Sequence, residues 1–188
     1  EGMAEFLVAI RMGKGFVGSH SAADTFHPTL PREDRFQAFG EKNDPYLLMI
    51  GGEFIRHGKQ QKCKMTPADP KFPGMPAEAF EMLEEWYSFK DYQKDLHVLL
   101  VHETDGMLKT GGDSVYNRPP YPATWTRKHG EGRVFYTSMG HREDVWTNLT
   151  FQVLLTGGLR WALREVEADV TPNLEKSAPG FAVIPPQK

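Results

Sequence analysis

The sequence predicts an α/β fold built on a parallel sheet, and three observations carry that prediction. The runs FVGSH (16–20), LHVLLV (96–101) and RVFYTSM (133–139) read as core strands, the second a continuous apolar run of the kind parallel strands show. Each is followed by a polar cluster, which sets its carboxyl end where ligands bind in open α/β sheets. From Asn148 onward, Phe151, Val153, Leu154, Leu155, Leu159, Trp161 and Ala162 give a helix with much of its surface apolar, suited to packing on a sheet.

Bulk properties narrow the class. A chain of 188 residues supports one domain with a real core. Its 39% hydrophobic and 12% aromatic content exclude a disordered chain. A net charge of −3 with scattered basic residues argues against a nucleic-acid surface. No apolar run reaches the ~20 residues that span a bilayer, and EGMAEFLVAI lacks the basic start of a signal peptide. The expectation is a soluble protein of cytoplasm or periplasm, with no nucleic-acid or membrane partner. The single cysteine, Cys63, excludes an intramolecular disulfide and a multi-cysteine metal centre, and its surroundings mark it as structural.

In chain order, the apolar spacing over 1–12 predicts an amphipathic helix ended by Gly13-Lys14-Gly15. Strand 16–20 follows and delivers His20 to a turn with small residues and Asp24. A loop with a short helix near 32–39 leads to helix 45–50, capped by Asn43 or Asp44 and stopped by Gly51-Gly52. Residues 59–65 alternate as an edge strand. Residues 67–76 form a proline-rich loop, and 77–86 are helical by spacing, with Phe80 and Leu83 among glutamates. Residues 111–122 are a Gly/Pro-rich loop, and Trp125-Thr126-Arg127 leads to a turn at 130–132. Gly111-Gly112 and Gly157-Gly158 do not make a GxGxxG after a strand, so a dinucleotide site is disfavoured.

The strand ends supply His20, His102 with Glu103, and His141 with Glu143. Neutral histidine serves as zinc ligand, general base or sugar hydrogen-bond partner, whereas a lone histidine more often fills a structural place. Aromatic residues near these ends, among them Trp86 and Trp125, either stack on sugar C–H faces or fill the core.

Together GFVGSHSAADTF, EEWYSF, DLHVLLVHETD, WTRKHGEGRVFYTSMGH and LLTGGLRWAL resemble the trehalose-utilisation (ThuA-like) family over 1–163. The resemblance implies a flavodoxin-like, class I glutamine amidotransferase-like three-layer sandwich over 1–170, followed by an extended tail over 171–188. It also implies that the family's first strands are missing before Glu1. Amidotransferases carry a nucleophilic cysteine at the elbow where this chain has His20, so thioester chemistry is disfavoured; His141 and Glu143 match their later His-x-Glu. The family's positions fall on His20, Asp24, His57, Glu85, Trp125, Arg127 and His141. Asp69-Pro70 stands where relatives often have His-Pro, which puts any role for that position in doubt.

The resemblance implies carbohydrate metabolism through 3-keto sugars. On that reading His20, His141, Glu143 and Glu85 are the catalytic candidates, and Asp24, Trp86, Trp125, Arg127 and His57 bind substrate. A divalent metal such as zinc would draw its ligands from His20, His141, His57 and His102. The partner is a small sugar, with a homo-oligomer left open. The rivals are a non-catalytic sugar-binding module, or pathway scaffold, and an amidotransferase-like hydrolase. Aromatic platforms without converged titratable groups would favour the module; a nucleophile at the elbow would favour the hydrolase.

Overall fold

The computed structural model describes residues 2–26 and 35–187. Helix α1 (Gly2–Arg11) leads into strand β1 (Gly15–Ser19), and a 3₁₀ turn over His20–Asp24 follows. Helix α2 (Pro45–Ile50) precedes β2 (Glu53–His57), β3 (Gln61–Pro67), β4 (Phe80–Glu84), β5 (Tyr87–Lys90) and β6 (His97–His102). Strands β7 (Tyr121–His129) and β8 (Gly132–Thr137) form a hairpin, followed by α3 (Glu143–Trp146), α4 (Leu149–Ala162) and α5 (Leu174–Ser177).

Six strands form one sheet in the order β1-β8-β7-β6-β3-β4, and β2 pairs with β5 in a separate ribbon. The pair β1–β8 is parallel, with Ser19 opposite Thr137. Strand β6, expected as a parallel strand, instead lies antiparallel to both of its neighbours, β3 and β7. Its continuous apolar sequence reflects burial on both faces, which an inner antiparallel strand under two layers also demands. Because β7 opposes both β8 and β6, the strands β1, β8 and β6 still run in one sense. Their carboxyl ends meet at one sheet edge, as the sequence suggests. Among the described residues, strand β1 lies at the sheet's border and pairs with β8.

Local chemistry explains the elements. Asp44 caps α2 by accepting from Tyr46 N, Pro45 opens the helix, and Gly51 ends it at φ +101°, a left-handed conformation that a side chain would resist. Asn148 caps α4 by accepting from Thr150 N and Phe151 N. Gly157 and Gly158 have a packing role: a Cβ on Gly157 would lie 1.9 Å from Pro73 O, and one on Gly158 2.5 Å from the Phe135 ring. Side-chain-free positions thus let α4 settle onto β8 and the 73–74 loop.

Three segments differ from expectation. Residues 59–65, read as an edge strand, hold β3, which is paired on both sides, with β6 and with β4. Residues 77–86, read as helical, hold β4: Met82 and Glu84 point inward and Glu81 outward, a period of two that the inward glutamate disguises. Trp125 and Arg127, placed in a lead-in to a turn, lie within the nine-residue inner strand β7. Of the short helix expected near 32–39, residues 32–34 lie outside the described residues, and Arg35-Phe36 have 3₁₀ conformation.

The tail beyond residue 170 is docked. Asn173 pairs with Val98 like a strand neighbour, accepting from Val98 N (2.6 Å) and donating to Val98 O (3.1 Å), while Leu174 and Ala178 are buried. The His97 ring lies between Thr171 O at 2.7 Å and Asp69 Oδ2 at 3.0 Å. Among the described residues no helix is long and apolar enough to cross a membrane.

Candidate functional site

The site begins where β1 stops. His20 takes φ +41°, a left-handed backbone that costs a non-glycine residue of order 1 kcal/mol and persists only when its surroundings enforce it. Part of that enforcement is the Tyr136 hydroxyl, which donates to His20 O at 2.7 Å from the neighbouring β8. The sharp turn leaves the His20 ring buried against Tyr87, with ring centroids 3.9 Å apart.

Strand β2 brings a second histidine by an irregularity. The ladder pairs Phe54 with Phe89 and Arg56 with Ser88, so Ile55 is an extra residue. In a regular strand, residues 54 and 57 would face opposite sides; the bulge puts His57 on the same face as Phe54 and Tyr87. The rings confirm it, with Phe54 and Tyr87 4.0 Å apart and His57 stacked 6.1 Å from each.

The β4–β5 turn carries two adjacent glutamates with opposite duties. Glu84 is fully buried and accepts from four backbone N–H groups: Glu85 (2.7 Å), Gly140 (2.8 Å), His141 (3.0 Å) and Arg142 (3.2 Å). Such a nest fixes a carboxylate and, here, ties the loop after β8 to the end of β4. It thereby holds His141 beside Glu85. Glu84→Ala leaves those donors without their acceptor and is expected to destabilise the fold by about 3 kcal/mol. Chemical denaturation measures this; a loss below half that figure would mean water replaces the carboxylate.

Glu85 is the centre of the site. Its carboxylate lies 3.4 Å from His57 Nδ1, 3.6 Å from His20 Nε2 and 3.7 Å from His141 Nε2. The His20 and His141 rings are 5.0 Å apart. Neighbouring acceptors set the tautomers of neutral rings. His20 Nε2–H donates to Glu85 O (3.0 Å), and His57 Nδ1–H donates to Gly58 O (2.9 Å), which leaves the His57 Nε2 lone pair free to take a proton. Gln60 Nε2 lies 3.3 Å from His141 Nδ1, so His141 carries its proton on Nε2, toward Glu85. Burial, the largest influence, lowers the His20 pKa against the opposing pull of its Glu85 contacts.

All three imidazoles present a nitrogen to the Glu85 carboxylate. Among the described residues, no group of three His, Cys, Asp or Glu side chains is arranged to hold a metal ion.

A cleft of about 560 Å³ opens beside this cluster, sharing His57 and Tyr87 with it and bounded further by Asp24, Arg35, Phe54 and Arg56. The site therefore sets a cluster of titratable side chains beside a space that accommodates a small molecule.

The family model described as trehalose utilisation, ThuA, matches residues 1–162. The chain belongs to the ThuA family. Among solved structures it is similar to ThuA-like proteins from Parabacteroides merdae (TM-score 0.54, 20% identity, 93% of this chain, 70% of that one) and Bacteroides uniformis (0.62, 20%, 88% and 64%). It is also similar to a β-galactosidase from Bacillus circulans sp. alkalophilus, with a TM-score of 0.54 at 13% identity, over 89% of this chain and 20% of that enzyme. At these identities the structural likeness speaks for the fold, and the chain spans 64–70% of the ThuA-like structures. No curated protein matches the sequence significantly. Membership gives the chain a carbohydrate-related role and agrees with the α/β, flavodoxin-like class.

Of the residues singled out in this ThuA-family sequence, the structure brings His20, Glu85, His141 and His57 together and sets Asp24 on the cleft wall, 3.4 Å from Arg35. The others lie apart from them. Glu143 is exposed on the first turn of α3, and Glu85 takes the place at His141 that the His-x-Glu pattern assigned to it. Trp86 is fully buried, its indole donating to Gln61 O (2.9 Å). Trp125 is fully buried too, donating to Ile50 O (2.8 Å). Arg127 donates to the α2 carbonyls Leu48 O and Met49 O and pairs with Asp95 at 2.8 Å, so the WTR segment caps a helix. His102 is enclosed by Trp86, Tyr116 and Tyr121, and its Nε2 has no hydrogen-bond partner among the described residues. Cys63 is buried and donates to Glu103 O, and burial pushes its thiol pKa up. Sequence reasoning missed Glu84 and Gln60; the Glu84-Glu85 pair was the available signal.

Proposed function

We propose that this ThuA-family chain catalyses proton transfer on a keto-sugar, with His57 as general base, Glu85 as the carboxylate that orients it, and His141 as proton donor. The observation that carries the proposal is the Glu85 carboxylate facing three imidazoles within 3.4–3.7 Å, one of which lines the cleft. A base needs a lone pair toward the substrate and a partner for its other nitrogen. The His57 tautomer set by Gly58 supplies both. A carbonyl at C3 of a glycoside acidifies the C2–H. His57 Nε2 takes that proton, and its electron pair forms the C1–C2 double bond as the glycosidic C1–O bond breaks. The leaving oxygen takes a proton from His141, and Glu85 offsets the imidazolium charge on His57. The C3 carbonyl survives conjugated to the new double bond, so the step is a redox-neutral elimination.

The test is turnover of a 3-keto-glucoside by wild type, His57→Gln and His141→Gln, with and without a chelator. Turnover by the wild type, loss of ~10²-fold or more in each variant, and indifference to chelator are expected. Chelator sensitivity would assign the histidines to a metal instead. Binding without turnover would make the protein a sugar-binding module.

A further inference from the structure

We infer that Asp113 and Tyr116 are positioning residues for the base: two buried side chains, neither lining the cleft, that set the tautomer of His57 and its distance from Glu85. The inference deepens the proton-transfer reading and rests on its assignment of His57 as the base. Both residues lie on the 3₁₀ turn Gly111–Tyr116, between β6 and β7. Residues three apart eclipse one another on a 3₁₀ helix, so the two side chains leave the turn on one face. That face meets the chain just beyond the end of β2.

Each side chain holds one of the two peptide groups that flank the Gly58 α-carbon. Tyr116 holds the first: its hydroxyl accepts from Gly58 N (2.9 Å) and donates to Trp86 O (2.7 Å). The β2–β5 ladder ends with His57 opposite Tyr87, so Gly58 and Trp86 would be the next pair. The hydroxyl stands between them as a spacer, joining the residue after the base to the residue after Glu85. Asp113 holds the second: its Oδ1 accepts from Lys59 N (2.7 Å). That N–H and the Gly58 carbonyl belong to one planar trans peptide and point in opposite directions. Gripping the N–H therefore aims Gly58 O at His57 Nδ1, 2.9 Å away. The approach is close: a Cβ on Gly58 would lie 2.2 Å from Asp113 Oδ1 and 2.7 Å from the Tyr116 ring, so only glycine fits there. With Gly58 O fixed, the proton stays on Nδ1 and the lone pair stays on Nε2. If the peptide turns, the ring is free to carry its proton on Nε2, and that tautomer cannot take the C2–H proton.

The experiment takes Asp113→Ala, Asp113→Asn and Tyr116→Phe beside wild type and reads two quantities. Nitrogen NMR shifts of His57 report the tautomer of its neutral ring without any substrate. Turnover of methyl 3-keto-glucoside gives kcat and KM. Wild type is expected to show the Nδ1–H tautomer. Asp113→Ala and Tyr116→Phe are expected to mix the tautomers and lower kcat by about 10–100-fold, with KM within about 3-fold. Asp113→Asn keeps an oxygen for Lys59 N and should recover most of both. If only one of the two disrupting variants folds, that one decides; failure of both to fold makes the residues structural and overturns the inference. A wild-type tautomer in a folded Asp113→Ala or Tyr116→Phe protein, or a mixed one with kcat unchanged, overturns it too. If wild type does not turn over the keto-sugar but the variants still lose the tautomer, the keto-sugar reading falls and the positioning of His57 stands.

Discussion

Glu85→Gln is expected to lower kcat/KM on a 3-keto-glucoside by about 10²–10⁴-fold while changing the unfolding free energy by less than about 1 kcal/mol. The substitution keeps the shape of the side chain and removes its charge. In the native site that charge faces His57, His20 and His141 at 3.4, 3.6 and 3.7 Å, and His57 must accept a proton in the proposed step. An imidazolium formed there would lose its counter-charge, and the cost would fall on the transition state, where the charge appears. The stability cost is small because the carboxylate is partly exposed and its contacts are ion pairs of 3.4 Å and longer, which contribute little to folding. Glu84 is the internal control. Its oxygens are buried under backbone donors, so its removal should appear in denaturation. Unchanged kcat/KM in a folded Glu85→Gln protein would remove Glu85 from the chemistry. A loss of turnover matched by loss of folded protein would make it a structural residue like its neighbour.

The sequence conveys those parts of the fold whose causes are local. Asp44, Pro45 and Gly51 bound α2, and Asn148 starts α4, because caps act within one turn of the chain. The convergence of His20 and His141 was legible for a similar reason. Both follow core strands, and β1 and β8 turned out to be parallel neighbours. Strand β4 was not legible. Its inward position 84 is a glutamate, which breaks the apolar alternation, and that glutamate is tolerated only because three N–H groups from a loop over fifty residues away meet it, together with the N–H of Glu85. The bulge at Ile55 was equally hidden, since nothing in EFIRH distinguishes a regular strand from one with an extra residue; the distinction lies in the pairing with β5. Trp86 and Trp125 carry the opposite lesson. Each indole N–H finds a backbone carbonyl inside the core, Gln61 O for one and Ile50 O for the other. A tryptophan so satisfied looks identical in sequence to one that stacks on a sugar.

His102 is expected to make the fold acid-labile. The ring is buried among Trp86, Tyr116 and Tyr121, its Nε2 lacks a partner among the described residues, and burial pushes its pKa down to about 3, with the Arg118 charge acting in the same direction. An unfolded chain offers the same ring at the ordinary pKa of about 6.5, so below that value the unfolded state binds a proton that the folded state refuses. The contribution of neutral His102 is therefore complete above pH 6.5 and is lost as the pH falls toward 3. Each pH unit is worth at most about 1.4 kcal/mol, or roughly 5 kcal/mol across the window, a large part of the total stability of an ordinary domain. The measurement is the free energy of unfolding in denaturant between pH 7.5 and 4, for wild type and His102→Phe. Phenylalanine keeps a ring in the aromatic enclosure and cannot bind the proton. His20, whose pKa burial also lowers, contributes with the same sign in both proteins, so the difference between the two curves isolates His102. Wild type should fall away from His102→Phe progressively below pH 6.5. Parallel curves over that range would show that His102 is protonated in the folded protein or reached by water, and the acid lability would have another origin.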